Sequence, residues 1–124
     1  MFSETKKYKN QGHFFFKKGD AINDVCKDMP RKPGVYYIIR LARGKVDLVY
    51  IGELPAGAIH ESPISLPQQF LDKKMMTQGM DGLDIYWFIT MDEKHHDLPE
   101  YVKGLLMQRY FDVHGHVPPW NNEI

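Results

Sequence analysis

Two runs of β-branched and aromatic residues dominate the middle of the chain. Residues 34–41 read GVYYIIRL and residues 46–52 read VDLVYIG. Between them Ala42-Arg43-Gly44-Lys45 supplies a turn, with a glycine for positive φ, so the pattern predicts a β-hairpin. After Gly52 the pattern dissolves. Pro55, Gly57, Pro63 and Pro67 fall within fifteen residues, which predicts an irregular loop. A helix is expected from about Leu66 to Met76 with Phe70 and Leu71 inward, broken by Gly79 and Gly82. Residues 83–90 (LDIYWFIT) are apolar almost throughout, as a central strand would be. Asp97 and Glu100 have capping-box spacing, and Pro99 is tolerated in a first turn. The last helix is then expected to run through YVKGLLMQRYFDVH and to end at Gly115.

The first 32 residues read as an extension of the same domain. His13 to Phe16 is a short strand or an apolar anchor. Asp20 can cap a short helix carrying Ile22, Val25 and Cys26 at helical spacing, stopped by Pro30 and Pro33. The element order is hairpin, helix, strand, helix. That predicts an α+β domain with a small, mainly antiparallel, three-stranded sheet.

Composition narrows this picture rather than redirecting it. The chain has 124 residues, enough for one domain with its own core. A single cysteine, Cys26, excludes an internal disulfide and points to a reducing, cytoplasmic setting. No apolar run reaches the length of a membrane span, and the lysine-bearing N-terminus lacks the apolar stretch of a signal peptide. Sixteen basic residues balance sixteen acidic ones, which argues against a strong non-specific grip on nucleic acid. Lys6, Lys7, Lys9, Lys17 and Lys18 nevertheless gather in the first twenty residues against Glu4 and Asp20.

Three segments together resemble the GIY-YIG nuclease family across roughly residues 33–122. Gly34-Val35-Tyr36 is similar to its first motif, and Tyr50-Ile51-Gly52, on the partner strand, to its second. Gly115-His116-Val117-Pro118-Pro119-Trp120-Asn121 is similar to its closing glycine–proline–asparagine segment. The resemblance implies hydrolysis of nucleic-acid phosphodiesters with one divalent ion, Mg²⁺ or Mn²⁺. Such chemistry needs a base, a metal, a cation for the transition state and a polar cradle. By the resemblance Tyr50 takes the base or water-orienting role, with Tyr36 beside it, and Asn121 holds the site together. A tyrosine of ordinary pKa near 10 serves as base only where a neighbouring cation lowers that value.

Two family positions are filled by other residues. The family arginine lies about two helical turns after the second-motif glycine, where this chain has His60, and no arginine occurs between Arg43 and Arg109. Lys73 and Lys74 are the nearby permanent cations, read as a solvated helix face. Lys103 takes the place of the metal-binding glutamate and is expected at the border of an apolar face, turned toward the cleft. Glu100 is the substitute metal ligand, although capping already accounts for it. The expectation is a nuclease-like domain of impaired or absent activity. The alternative is a non-catalytic module for nucleic acid, DNA ahead of RNA, or for a protein. His95-His96 and His114-x-His116 read as surface histidines, since the helix between them is too long for a shared metal. The methionines 75, 76, 80, 91 and 107 read as core filler.

Overall fold

A computed structural model describes residues 2–54 and 64–123. It is an α+β fold: β1 (Gln11–Phe16), α1 (Ile22–Val25), β2 (Gly34–Ala42), β3 (Lys45–Leu54), α2 (Gln68–Thr77), β4 (Gly82–Ile89) and α3 (Pro99–His114). The sheet has four antiparallel strands in the order β1-β4-β2-β3, so the expected count of three was one short. The added strand is β1, paired along its whole length with β4 from Gln11 opposite Phe88 to Phe16 opposite Leu83. Of the two readings open for His13 to Phe16, the strand is the one observed; only Phe16 is fully buried, and the other positions are half-buried or exposed, as on an outer strand.

The hairpin closes on Arg43 and Gly44, both at positive φ (52° and 76°), the two-residue turn that matches strand twist. The register slips once between Ile38 and Ile39, where Val49 is the extra residue of a β-bulge. The bulge decides which way β3 faces. Leu48 and Ile51 join Val35, Tyr37 and Ile39 on one face, whereas Val49, Tyr50 and Leu54 join Tyr36 and Ile38 on the other.

Each face has its own core. One face is closed by α1, α2 and the C-terminal turn through Ile22, Leu71, Met75 and Trp120. The other is closed by α3 and the N-terminal segment through Val102, Leu106, Tyr110, Phe2 and Tyr8. Gly115, at φ 76°, ends α3 in the left-handed conformation expected from the sequence. The start of α3 differs from expectation. Leu98 is the cap residue and no side chain caps it, because the Asp97 carboxylate is taken by the Tyr8 hydroxyl (2.6 Å) and Lys7 (3.0 Å). Asp20 likewise does not cap α1; it accepts from the Lys17 backbone N–H, and Ala21 holds the cap position. Met75 and Met80 fill the core, but Met76 is 75% exposed. Among the described residues no helix is long and apolar enough to cross a membrane.

Candidate functional site

The two tyrosines of the hairpin motifs lie side by side on the face covered by α2. Their ring centroids are 5.8 Å apart, with planes inclined by 40°. Neither pairs directly with the other in the ladder: Tyr36 stands opposite Gly52, and Tyr50 opposite Ile38. The Val49 bulge is what brings Tyr50 and Gly52 to the face of Tyr36.

The motif glycines follow from this packing. A Cβ at Gly52 would lie 2.7 Å from ring carbons of both Tyr36 and Tyr50. A Cβ at Gly34 would lie 2.1 Å from the Phe88 carbonyl oxygen on β4. The first clash is with side chains that have some freedom; the second is with a strand backbone that has none. The two tripeptides are therefore one interlocked unit rather than two independent signals.

Tyr36 is buried, and its hydroxyl shares a 2.8 Å hydrogen bond with the Ser65 hydroxyl. Burial, with Tyr50 beside it as the next cause, pushes the Tyr36 phenol well above the ordinary tyrosine range. At neutral pH Tyr36 is a neutral phenol. It can orient or donate to a bound group, and it does not act as a base. Ser65 escaped the sequence reading because it lies in the proline-broken stretch, whose residues 55–63 fall outside those described. The expected His60 lies among these.

Asn121 comes to the same region from the C-terminus. Its side-chain carbonyl accepts from the Ile51 N–H (3.0 Å) and its amide donates to the Ile51 carbonyl (2.9 Å). One side chain thus satisfies both outward backbone groups of a residue on the outer strand, as a further strand would. Its neighbour Trp120 is fully buried against Phe70, with ring centroids 5.6 Å apart at 81°. Lys74 lies over both rings, 5.3 Å and 5.7 Å from their centroids, and is paired with Glu123 at 2.6 Å. Its side chain is only 11% exposed, so Lys74 is not the solvated lysine expected; Lys73 is. Trp120, within the closing segment, and Glu123, two residues beyond it, are the partners that hold Lys74.

Lys103 and Glu100 are not brought to the tyrosines. Both are on α3, whose buried stripe of Val102, Leu106 and Tyr110 packs against the opposite face of the sheet. Lys103 is half-buried at the border of that stripe, and Glu100 is exposed in the first turn. The groups that act on Tyr36 are Tyr50 and Ser65. Among the described residues no three carboxylate, imidazole or thiol groups stand together as a metal site. Among the described residues, Lys103, which the resemblance sets at the ligand position, and Glu100, exposed on α3, do not form a divalent-ion site with the tyrosines. Of the histidines, His114 and His116 pack around Tyr110, and His95 lies against Tyr8.

No protein-family model, curated protein or solved structure matches this chain.

Proposed function

We propose that this chain is a GIY-YIG endonuclease-like domain that has lost efficient phosphodiester hydrolysis and is kept as a nucleic-acid-binding module. The observation that carries the reading is the interlock of Tyr36, Tyr50 and Gly52, with Asn121 fastened to Ile51 between them. It supports the resemblance by bringing residues from all three motif segments to neighbouring positions on β2 and β3. Loss of hydrolysis is supported by the placement of the ligand candidates. By the resemblance Lys103 takes the ligand position, and both it and Glu100 stand on α3, on the other side of the sheet. A protein-binding version has one observation in its favour, the exposed apolar stripe of Leu98, Tyr101 and Leu105 on α3.

The test is nicking of supercoiled plasmid with Mg²⁺ or Mn²⁺, beside retention of the same DNA at rising salt. The expected result is salt-sensitive retention without metal-dependent nicking. Nicking that disappears in Tyr50→Phe would contradict the loss of hydrolysis. Absence of any retention would remove nucleic acid as the partner and leave the protein-binding version.

A further inference from the structure

The face of the sheet opposite the motif tyrosines is only partly covered. α3 packs over β3 and β2, while on that side β4 carries half-buried Asp84 and Tyr86 beside buried Phe88, and β1 carries exposed Gln11, His13 and Phe15. Three rings stand in register across three strands there. His13 on β1 stacks on Tyr86 of β4 (5.1 Å, 26°), and Tyr86 stacks on Tyr37 of β2 (5.2 Å, 16°). Tyr37 is buried at the inner end, Tyr86 is half-buried and His13 is exposed. β1 is the outer strand, so one ring face of His13 lies on Tyr86 and the other is turned to solvent. Phe15, two residues along and 45% exposed, lies flat over Gly82, where a Cβ would come within 2.2 Å of its ring.

His13 packs on Tyr86 and Phe15 covers Gly82, yet both side chains remain exposed on their outward side. The charges around them are distinctive. Lys9 precedes β1 and Lys17 follows it; both are exposed, and among the described residues neither forms an ion pair. The acidic groups nearby are Asp84, half-buried opposite Phe15, Asp81, exposed beside the Gly82 that Phe15 covers, and Asp20, which is tied to the Lys17 backbone. Aromatic faces flanked by free cations are the chemistry that holds a strand of unpaired bases, each base stacking while its phosphates run along the lysines. A duplex offers no free base faces to such a surface.

We propose that the β1–β4 surface, with His13 as the open end of the aromatic row and Phe15 beside it, docks single-stranded nucleic acid along Lys9 and Lys17. The proposal rests on the binding half of the reading above but places contact on the other face of the sheet, away from Tyr36 and Tyr50.

The test is fluorescence anisotropy with a labelled single-stranded DNA of about 12 nucleotides and with its duplex. The single strand is expected to bind more tightly than the duplex. His13→Ala is expected to weaken that binding about fivefold or more, and His13→Phe to restore it, because the ring face and not the imidazole is used. Lys9→Glu with Lys17→Glu is expected to weaken it and flatten its salt dependence. His13 is exposed, and an unchanged melting temperature would confirm that the variants fold. Duplex bound as well as single strand, with His13→Ala without effect, would overturn this surface and leave the nucleic-acid reading standing. No binding of either DNA would overturn both.

Discussion

The two faces of one sheet are built to different ends. On the α2 face the residues that carry the motif resemblance are enclosed: Tyr36 and Tyr50 are buried, Gly52 leaves room for their rings, and Asn121 locks the neighbouring strand edge. On the α3 face the same kind of side chain runs outward instead, from buried Tyr37 through Tyr86 to exposed His13. Aromatic content is similar on both; what differs is whether the outermost ring meets protein or water. Enclosed rings supply shape and rigidity, and open ones supply a contact surface. A tyrosine motif read from sequence can mark the first while seeming to mark the second.

The comparison is broken most severely at the glycines. Gly34→Ala drives a Cβ into the β4 backbone and is expected to cost about 3 kcal/mol or more, by denaturant unfolding. Gly52→Ala meets only side chains and is expected to cost less, about 1–3 kcal/mol. Gly104, on α3 with nothing near its Cβ position, is the control: alanine there is expected to stabilise by about 0.5–1 kcal/mol. Equal effects at Gly34 and Gly104 would mean that β2 and β4 are not packed as described.

Asn121→Ala removes both bonds to Ile51 and is expected to cost about 2 kcal/mol in the same assay. Faster amide exchange at Ile51 should accompany it, since that N–H loses its acceptor.

Much of this was legible in the sequence, and the misses have physical causes. The hairpin, its turn, the central strand and the end of α3 at Gly115 follow from local chemistry that tertiary contacts do not override. β1 was ambiguous because a six-residue outer strand buries little. The Val49 bulge has no signature of its own, yet it sets the facing of Tyr50 and Gly52. The caps were misread because Asp97 has a better partner 89 positions away in Tyr8. For the site, the adjacency of Tyr36 and Tyr50 on paired strands could be anticipated, whereas the fastening of Asn121 to the Ile51 backbone could not. The side of the sheet taken by α3 could not either, and with it went the expected convergence of Lys103 and Glu100.

Two pH effects sharpen the contrast between faces. Burial, with Tyr86 as the second cause, pushes the Tyr37 phenol up to about 12. The folded chain therefore holds this proton after the unfolded chain has released it. Stability is full below the ordinary value of 10.0 and is expected to fall as pH rises toward about 12. Ultraviolet titration should show a group of tyrosines, Tyr36 and Tyr37 among them, ionising only with unfolding. The smaller effect is at Asp97, where hydrogen bonds from Tyr8 and Lys7 hold the carboxyl below its ordinary range. Its contribution is present at neutral pH and lost as pH falls through the lowered folded value. Asp97→Asn is expected to cost about 1 kcal/mol or less at neutral pH, as the carboxylate is partly exposed, and nothing at strongly acidic pH.

Titrating the ¹⁵N-labelled chain with a short single-stranded DNA while following amide shifts tests the division between faces most directly. The account predicts that shifts concentrate on β1 and β4, at His13, Phe15 and Tyr86, with Gly52, Ile51 and Asn121 unmoved. Shifts centred on Gly52 and Asn121, with β1 silent, would contradict it.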